Sequence, residues 1–175
     1  MPTSATSKAT SGSAAIGRNN DGWKTPIEFY RWLDDIFRFE KRVESDISDV
    51  DRLQWPDAPV FVNPPHSQLA RGNWIETICV KTGAKGRSCA LLPGRIETEW
   101  FEKVFRTAQA ILVLRGRLVY KFEGESFGMP VFPSIVAVFG KQVSEKEVAR
   151  LSEKGAVLLL WENRLKTPEE RQLQN

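Results

Sequence analysis

Apolar side chains recur along this chain in two rhythms. Phe29, Trp32, Leu33 and Ile36 fall at helical spacing and predict an amphipathic helix over 26–37. Trp74, Ile75, Ile78 and Cys79 do the same within 72–82, as do Trp100, Phe101, Val104 and Phe105 within 99–108. A fourth helix is expected over 143–155. Between them lie short apolar runs at 59–62, 88–92, 110–114, 135–139 and 156–161. The central runs are continuous rather than alternating, the pattern of strands buried on both faces. Residues 118–122 alternate instead and lead into the turn Glu123-Gly124-Glu125-Ser126. That end therefore reads as an antiparallel hairpin closing the sheet. Strands and helices in this order predict an α/β fold around one sheet of mixed direction, without internal repeats.

The breakers between these runs place the first candidate chemistry. The strand at 59–62 stops at Asn63-Pro64-Pro65-His66, because two prolines cannot continue a ladder. Pro64 also keeps Asn63 extended, at the carboxyl edge of its strand, where open α/β sheets bind ligands. A polar amide thus stands on a rigid mount, with a ring three positions on. At the other helix start, Thr25 is expected to cap the helix with Pro26 at its first position and Glu28 completing a capping box. Trp23, just before the cap, is expected to be an exposed indole able to cover a ligand. Residues 38–55 carry Glu40, Glu44, Asp46, Asp49 and Asp51 and read either as a solvated face or as carboxylates accepting from a nucleoside.

Composition narrows the class. With 41% hydrophobic and 27% charged residues, the 175-residue chain has the make-up of one globular domain. Residues 1–20, rich in Ser, Thr, Ala and Gly, read as a disordered tail, 21–165 as the single domain and 166–175 as a polar tail. A net charge of +3 permits a nucleic-acid partner without requiring one. Two cysteines and one histidine exclude a Cys/His zinc site, so no metal is expected, and they point to a reducing compartment. No apolar run reaches the ~18 residues of a membrane span.

Asn-Pro-Pro followed by a ring resembles motif IV of the amino-methyltransferases, which methylate exocyclic amines of nucleic-acid bases. The resemblance extends in order through Trp23-Lys24-Thr25-Pro26, Asp51-x-Leu53-x-Trp55, Val60-Phe61-Val62-Asn63-Pro64-Pro65, Leu91-Leu92-Pro93-x-Arg95, Thr98-x-Trp100-Phe101, Leu114-Arg115-Gly116-Arg117-Leu118 and Phe132-Pro133-Ser134. As a series, covering about residues 22–140, it is similar to the phage-type, Dam-like DNA N-6-adenine-methyltransferases. That resemblance implies a Rossmann-like fold, S-adenosylmethionine as methyl donor, and transfer to the adenine amine of flipped bases in double-stranded DNA. It implies that Asn63, Pro64 and Pro65 hold the amine while His66 stacks on the base. Trp23, Thr25, Pro26 and Asp51, with Glu44 or Asp46, would line the cofactor pocket. Arg115, Arg117, Pro133 and Ser134 would face DNA. A phage or prophage origin would place the protein in the host cytoplasm.

Several positions depart from that pattern. His66 stands where the family usually has Tyr, Phe or Trp, and Arg42-Val43-Glu44-Ser45 stands where it commonly has Asp-Val-x-Ala, so Arg42 replaces the acid unless Glu44 or Asp46 substitutes. The segment from there to Asp51 is short. These departures keep a second expectation open, a methyltransferase-like binding or partner subunit without catalysis. Methylation of the cytosine amine would use the same geometry. Gly124-Glu125-Ser126-Phe127-Gly128 has the hydrolase nucleophile pattern, but Pro130 and Pro133 forbid the helix it needs and the only histidine lies upstream. Gly83-Ala84-Lys85-Gly86-Arg87-Ser88 has the wrong spacing for a phosphate loop.

Overall fold

The computed structural model describes residues 23–44, 54–69, 74–83, 86–122, 125–126 and 132–160. The expected tails at 1–20 and 166–175, and the candidates Asp46 and Asp51, lie outside these residues.

Five apolar runs become the strands that the pattern predicts. They are β2 (Val60–Val62), β3 (Arg87–Pro93), β4 (Ala110–Leu114), β7 (Ser134–Gly140) and β8 (Gly155–Leu159). One further strand, β1 (Lys41–Val43), lies at the edge beside β2. The six form one mixed sheet in the order β1-β2-β3-β7-β4-β8. β1, β2 and β3 pair in parallel, and β7 runs antiparallel to both β3 and β4, so β4 points the same way as β1–β3. β8 pairs antiparallel on the outer side of β4.

The side-chain alternation of the strands sorts the core into two layers. Val60, Val62, Ala90, Leu92 and Ile111 face helices α2 (Trp74–Thr82) and α3 (Glu99–Thr107). Phe61, Leu91, Leu112, Val136 and Val138 face α1 (Ile27–Phe37) and α4 (Glu145–Ser152). Helices on both faces explain why the central strands are apolar throughout: β3 is buried at every position.

Two local expectations give way. The capping box at Thr25 does not form: Pro26 is the N-cap of α1 without a side-chain cap bond, and Glu28 pairs with Arg31 on the surface. A stronger partner takes the Thr25 hydroxyl, the Glu44 carboxylate at 3.3 Å. The complete capping box lies at α4 instead, where Ser144 and Glu147 exchange bonds. Finally, the hairpin does not close the main sheet. Only Lys121–Phe122 (β5) and Glu125–Ser126 (β6) pair, as a separate two-stranded ladder. The preceding residues leave strand geometry and Tyr120 is fully buried. The antiparallel character of the sheet comes from β7 and β8. No described helix is long and apolar enough to cross a membrane.

Candidate functional site

The carboxyl ends of β1, β2, β3 and β4 share one edge of the sheet with the start of β7, since Pro93 pairs with Ser134. Asn63 stands there. Its backbone N–H extends the ladder by one bond, to the Val43 carbonyl at 2.8 Å, and Pro64 then ends it. The side chain is 1% exposed. Its Nδ2 donates to the Trp23 carbonyl and to Glu44 Oε2, each at 3.0 Å. Among the described residues its Oδ1 is buried and has no hydrogen-bond partner. A buried amide oxygen without a donor is costly, by about 1–3 kcal/mol, and such groups in folded proteins are few.

Glu44, one residue beyond β1, organises this corner. Oε1 meets Arg42 Nε and Nη2, both at 2.5 Å, while Oε2 accepts from the Thr25 backbone N–H at 3.2 Å as well as from its hydroxyl. Arg42 lies over the Tyr30 ring at 4.3 Å and donates to the Thr25 carbonyl at 3.2 Å. Arg42 thus anchors the carboxylate two residues on. Glu44, a candidate for nucleoside contact, is engaged with protein donors on both oxygens.

Trp23 is not an exposed cover. It is 8% exposed, with its ring 5.4 Å from that of Tyr120. The His66 ring stands edge-on to Tyr120 at 6.3 Å. Tyr120 and Ser134 share a hydrogen bond at 3.0 Å, which places Ser134 inside the protein behind the aromatic cluster. Pro133 is exposed, and its carbonyl accepts from Gly94 at 2.6 Å. Tyr120 carried no motif in the sequence. Its only signal was an aromatic in a short alternating run.

Burial pushes the Tyr120 phenol up from 10.0 to about 12, against the opposing pull of its bond to Ser134. A raised pKa in the fold means that stability is fully present below the unfolded value near 10 and is lost as pH rises towards 12. The expected loss is about 2–3 kcal/mol. Urea unfolding at successive alkaline pH should show this slope in the wild type, and Tyr120→Phe should flatten it. Identical slopes in the two proteins would refute it.

Two hollows open beside the cluster. His66 lines one of about 520 Å³ with Pro93, Trp100 and Phe132, where the Arg95 guanidinium lies 4.8 Å from the centre of the Phe132 ring. Arg115 and Arg117, both exposed, line another of about 500 Å³ with Pro26, Phe29 and Lys154. The structure thus gathers Trp23, Thr25, Glu44, Asn63, His66 and, through Tyr120, Ser134. It sets Arg115 and Arg117 in a separate groove, to which Pro26 contributes. Among the described residues, no three His, Cys, Asp or Glu side chains group as metal ligands. Compared with protein-family models, with curated proteins and with solved structures, the chain shows no match.

Proposed function

We propose that this chain is a Rossmann-like, S-adenosylmethionine-dependent methyltransferase acting on the exocyclic amine of adenine in double-stranded DNA. The observation that carries the reading is the Asn63 amide, donating through Nδ2 to two acceptors while Oδ1 is left without a partner at the carboxyl edge of the sheet. An exocyclic amine is a poor nucleophile because its lone pair is delocalised into the ring. Asn63 Oδ1 accepts one of its N–H groups and the Pro64 carbonyl the other, which localises the lone pair and aims it. His66, beside Tyr120, is the ring that would stack on the base.

The cluster suits the cofactor at its reacting end. An orphaned acceptor and the aromatic rings of Trp23 and Tyr120 suit an amine meeting a cationic methyl donor. When bound, S-adenosylmethionine supplies an electrophilic methyl group on a sulfonium. Trp23 and Thr25 would hold it, and Arg115 and Arg117, in the groove that Pro26 shares, would meet phosphates.

The test is calorimetric titration with S-adenosylmethionine, followed by assay with labelled cofactor and duplex DNA of mixed sequence. Saturable binding and label recovered as N6-methyladenine are expected; label on the cytosine amine would reassign the base. A folded protein that binds no cofactor would overturn the proposal. It would favour the reading that the shielding of Asn63 also allows, a non-catalytic DNA-binding or partner subunit.

A further inference from the structure

We propose that Glu44 is the positioning residue of the acceptor: its carboxylate, clamped by Arg42, holds the Asn63 amide by its nitrogen, so that the buried oxygen is the end left without a partner and kept for the substrate amine. The inference rests on the methyl-transfer reading of the site and assigns Glu44 a role towards Asn63 rather than towards the cofactor.

An asparagine side chain has nearly the same shape when its last bond is rotated by half a turn. In one orientation Oδ1 is free to accept; in the other an NH2 group would meet the substrate amine, donor against donor. An aspartate at this position would face no such choice, so an asparagine needs neighbours that make it. Both neighbours of Nδ2 can only accept: the Trp23 carbonyl and Glu44 Oε2, each at 3.0 Å. Turned round, Oδ1 would face a carbonyl and a carboxylate at that distance. The charge on Glu44 makes the preference strong, because hydrogen bonds to an ionised acceptor are roughly twice as strong as neutral ones.

Glu44 is itself immobilised. Arg42 holds Oε1 at 2.5 Å through both Nε and Nη2, the Thr25 N–H and hydroxyl hold Oε2, and the side chain is 11% exposed. Tyr30 and the Thr25 carbonyl fix Arg42 in turn. With both oxygens engaged, the carboxylate acts on substrate only through Asn63.

A charge relocation separates this role from simple packing. Asn63→Asp sets two carboxylates about 3.0 Å apart, a pair that repel each other until one takes up a proton. Transfer should fall about 100-fold at neutral pH and recover as pH is lowered. Glu44→Gln, whose amide can offer either end to Asn63, should lower kcat about tenfold with little change in KM for DNA. In the double variant Asn63→Asp/Glu44→Gln, the new amide donates to the new carboxylate. Activity at neutral pH should return to within about tenfold of wild type. A double variant no better than Asn63→Asp alone would overturn the proposal.

A second readout needs no turnover. The Asn63 side-chain amide signals, identified by their loss in Asn63→Asp, should be deshielded and slow to exchange in the wild type, and should become ordinary in Glu44→Gln. If that variant does not fold, Glu44→Asp keeps the charge on Arg42 while drawing the carboxylate back from Asn63. Signals unmoved by either change would overturn the clamp. Signals that move in a protein with no methyl transfer would support the clamp and refute the function instead.

Discussion

Asn63→Ala is expected to lower methyl transfer by about 10²–10³-fold, the usual effect of removing one preorganised polar group from a reacting centre. The substitution deletes the free Oδ1 and with it the localisation of the amine's lone pair, while Pro64 and its carbonyl remain. It also leaves the Trp23 carbonyl and Glu44 Oε2 short of one donor each, so a stability cost of about 1–2 kcal/mol should accompany the loss. The variant should fold, bind cofactor with little change and fail at chemistry, so the deficit should lie in kcat rather than in either KM. Single-turnover kinetics beside a cofactor titration would read both. Unchanged turnover would remove Asn63 from the mechanism.

The largest effect on stability is expected two residues earlier. Phe61→Ala should cost about 3–5 kcal/mol, a large share of what a domain of this size has. Phe61 is fully buried and packs against the rings of Tyr30, 5.3 Å away and near perpendicular, and Phe39, 5.7 Å away. Those rings belong to α1 and the segment just after it, so the cavity would open where the helix layer grips the strand that carries Asn63. Phe61→Leu, which restores most of the volume, should cost less than about 1.5 kcal/mol. Urea unfolding of the two variants would give the comparison. A loss below 1 kcal/mol for alanine would mean that Tyr30 and Phe39 refill the space.

What could be read from the chain follows how local each signal is. Val60–Val62 and its Pro-Pro stop announce a buried strand with an amide at its end, because the physics lies within six residues. β3, β4 and β7 show as apolar runs between breakers for the same reason. β1 is hidden: Lys41-Arg42-Val43 contains one apolar side chain, and it becomes a strand only because β2 offers a parallel edge. Thr25 shows the opposite failure. Its capping pattern with Glu28 is sound locally, yet a carboxylate 19 residues away competes for the same hydroxyl and wins. The partners that orient Asn63 lie 40 and 19 residues from it, so no window of sequence contains the site. Tyr120 belongs to the same class: alternation suggested a strand, and packing on Trp23 drew the ring inward instead.

The place of β7 between β3 and β4 bears on how the chain is made. On a ribosome β3 and β4 emerge first, both largely apolar and pointing the same way, while the strand that belongs between them is still inside the exit tunnel. If the two pair directly, β7 is left without its two-sided slot and a segment buried at all but its last residue is stranded at the surface. Productive folding of the nascent chain therefore depends on keeping that gap open until residue 140 has left the exit tunnel. A chaperone that shields apolar strands, or slow translation beyond β4, would act at this step and not on the finished protein.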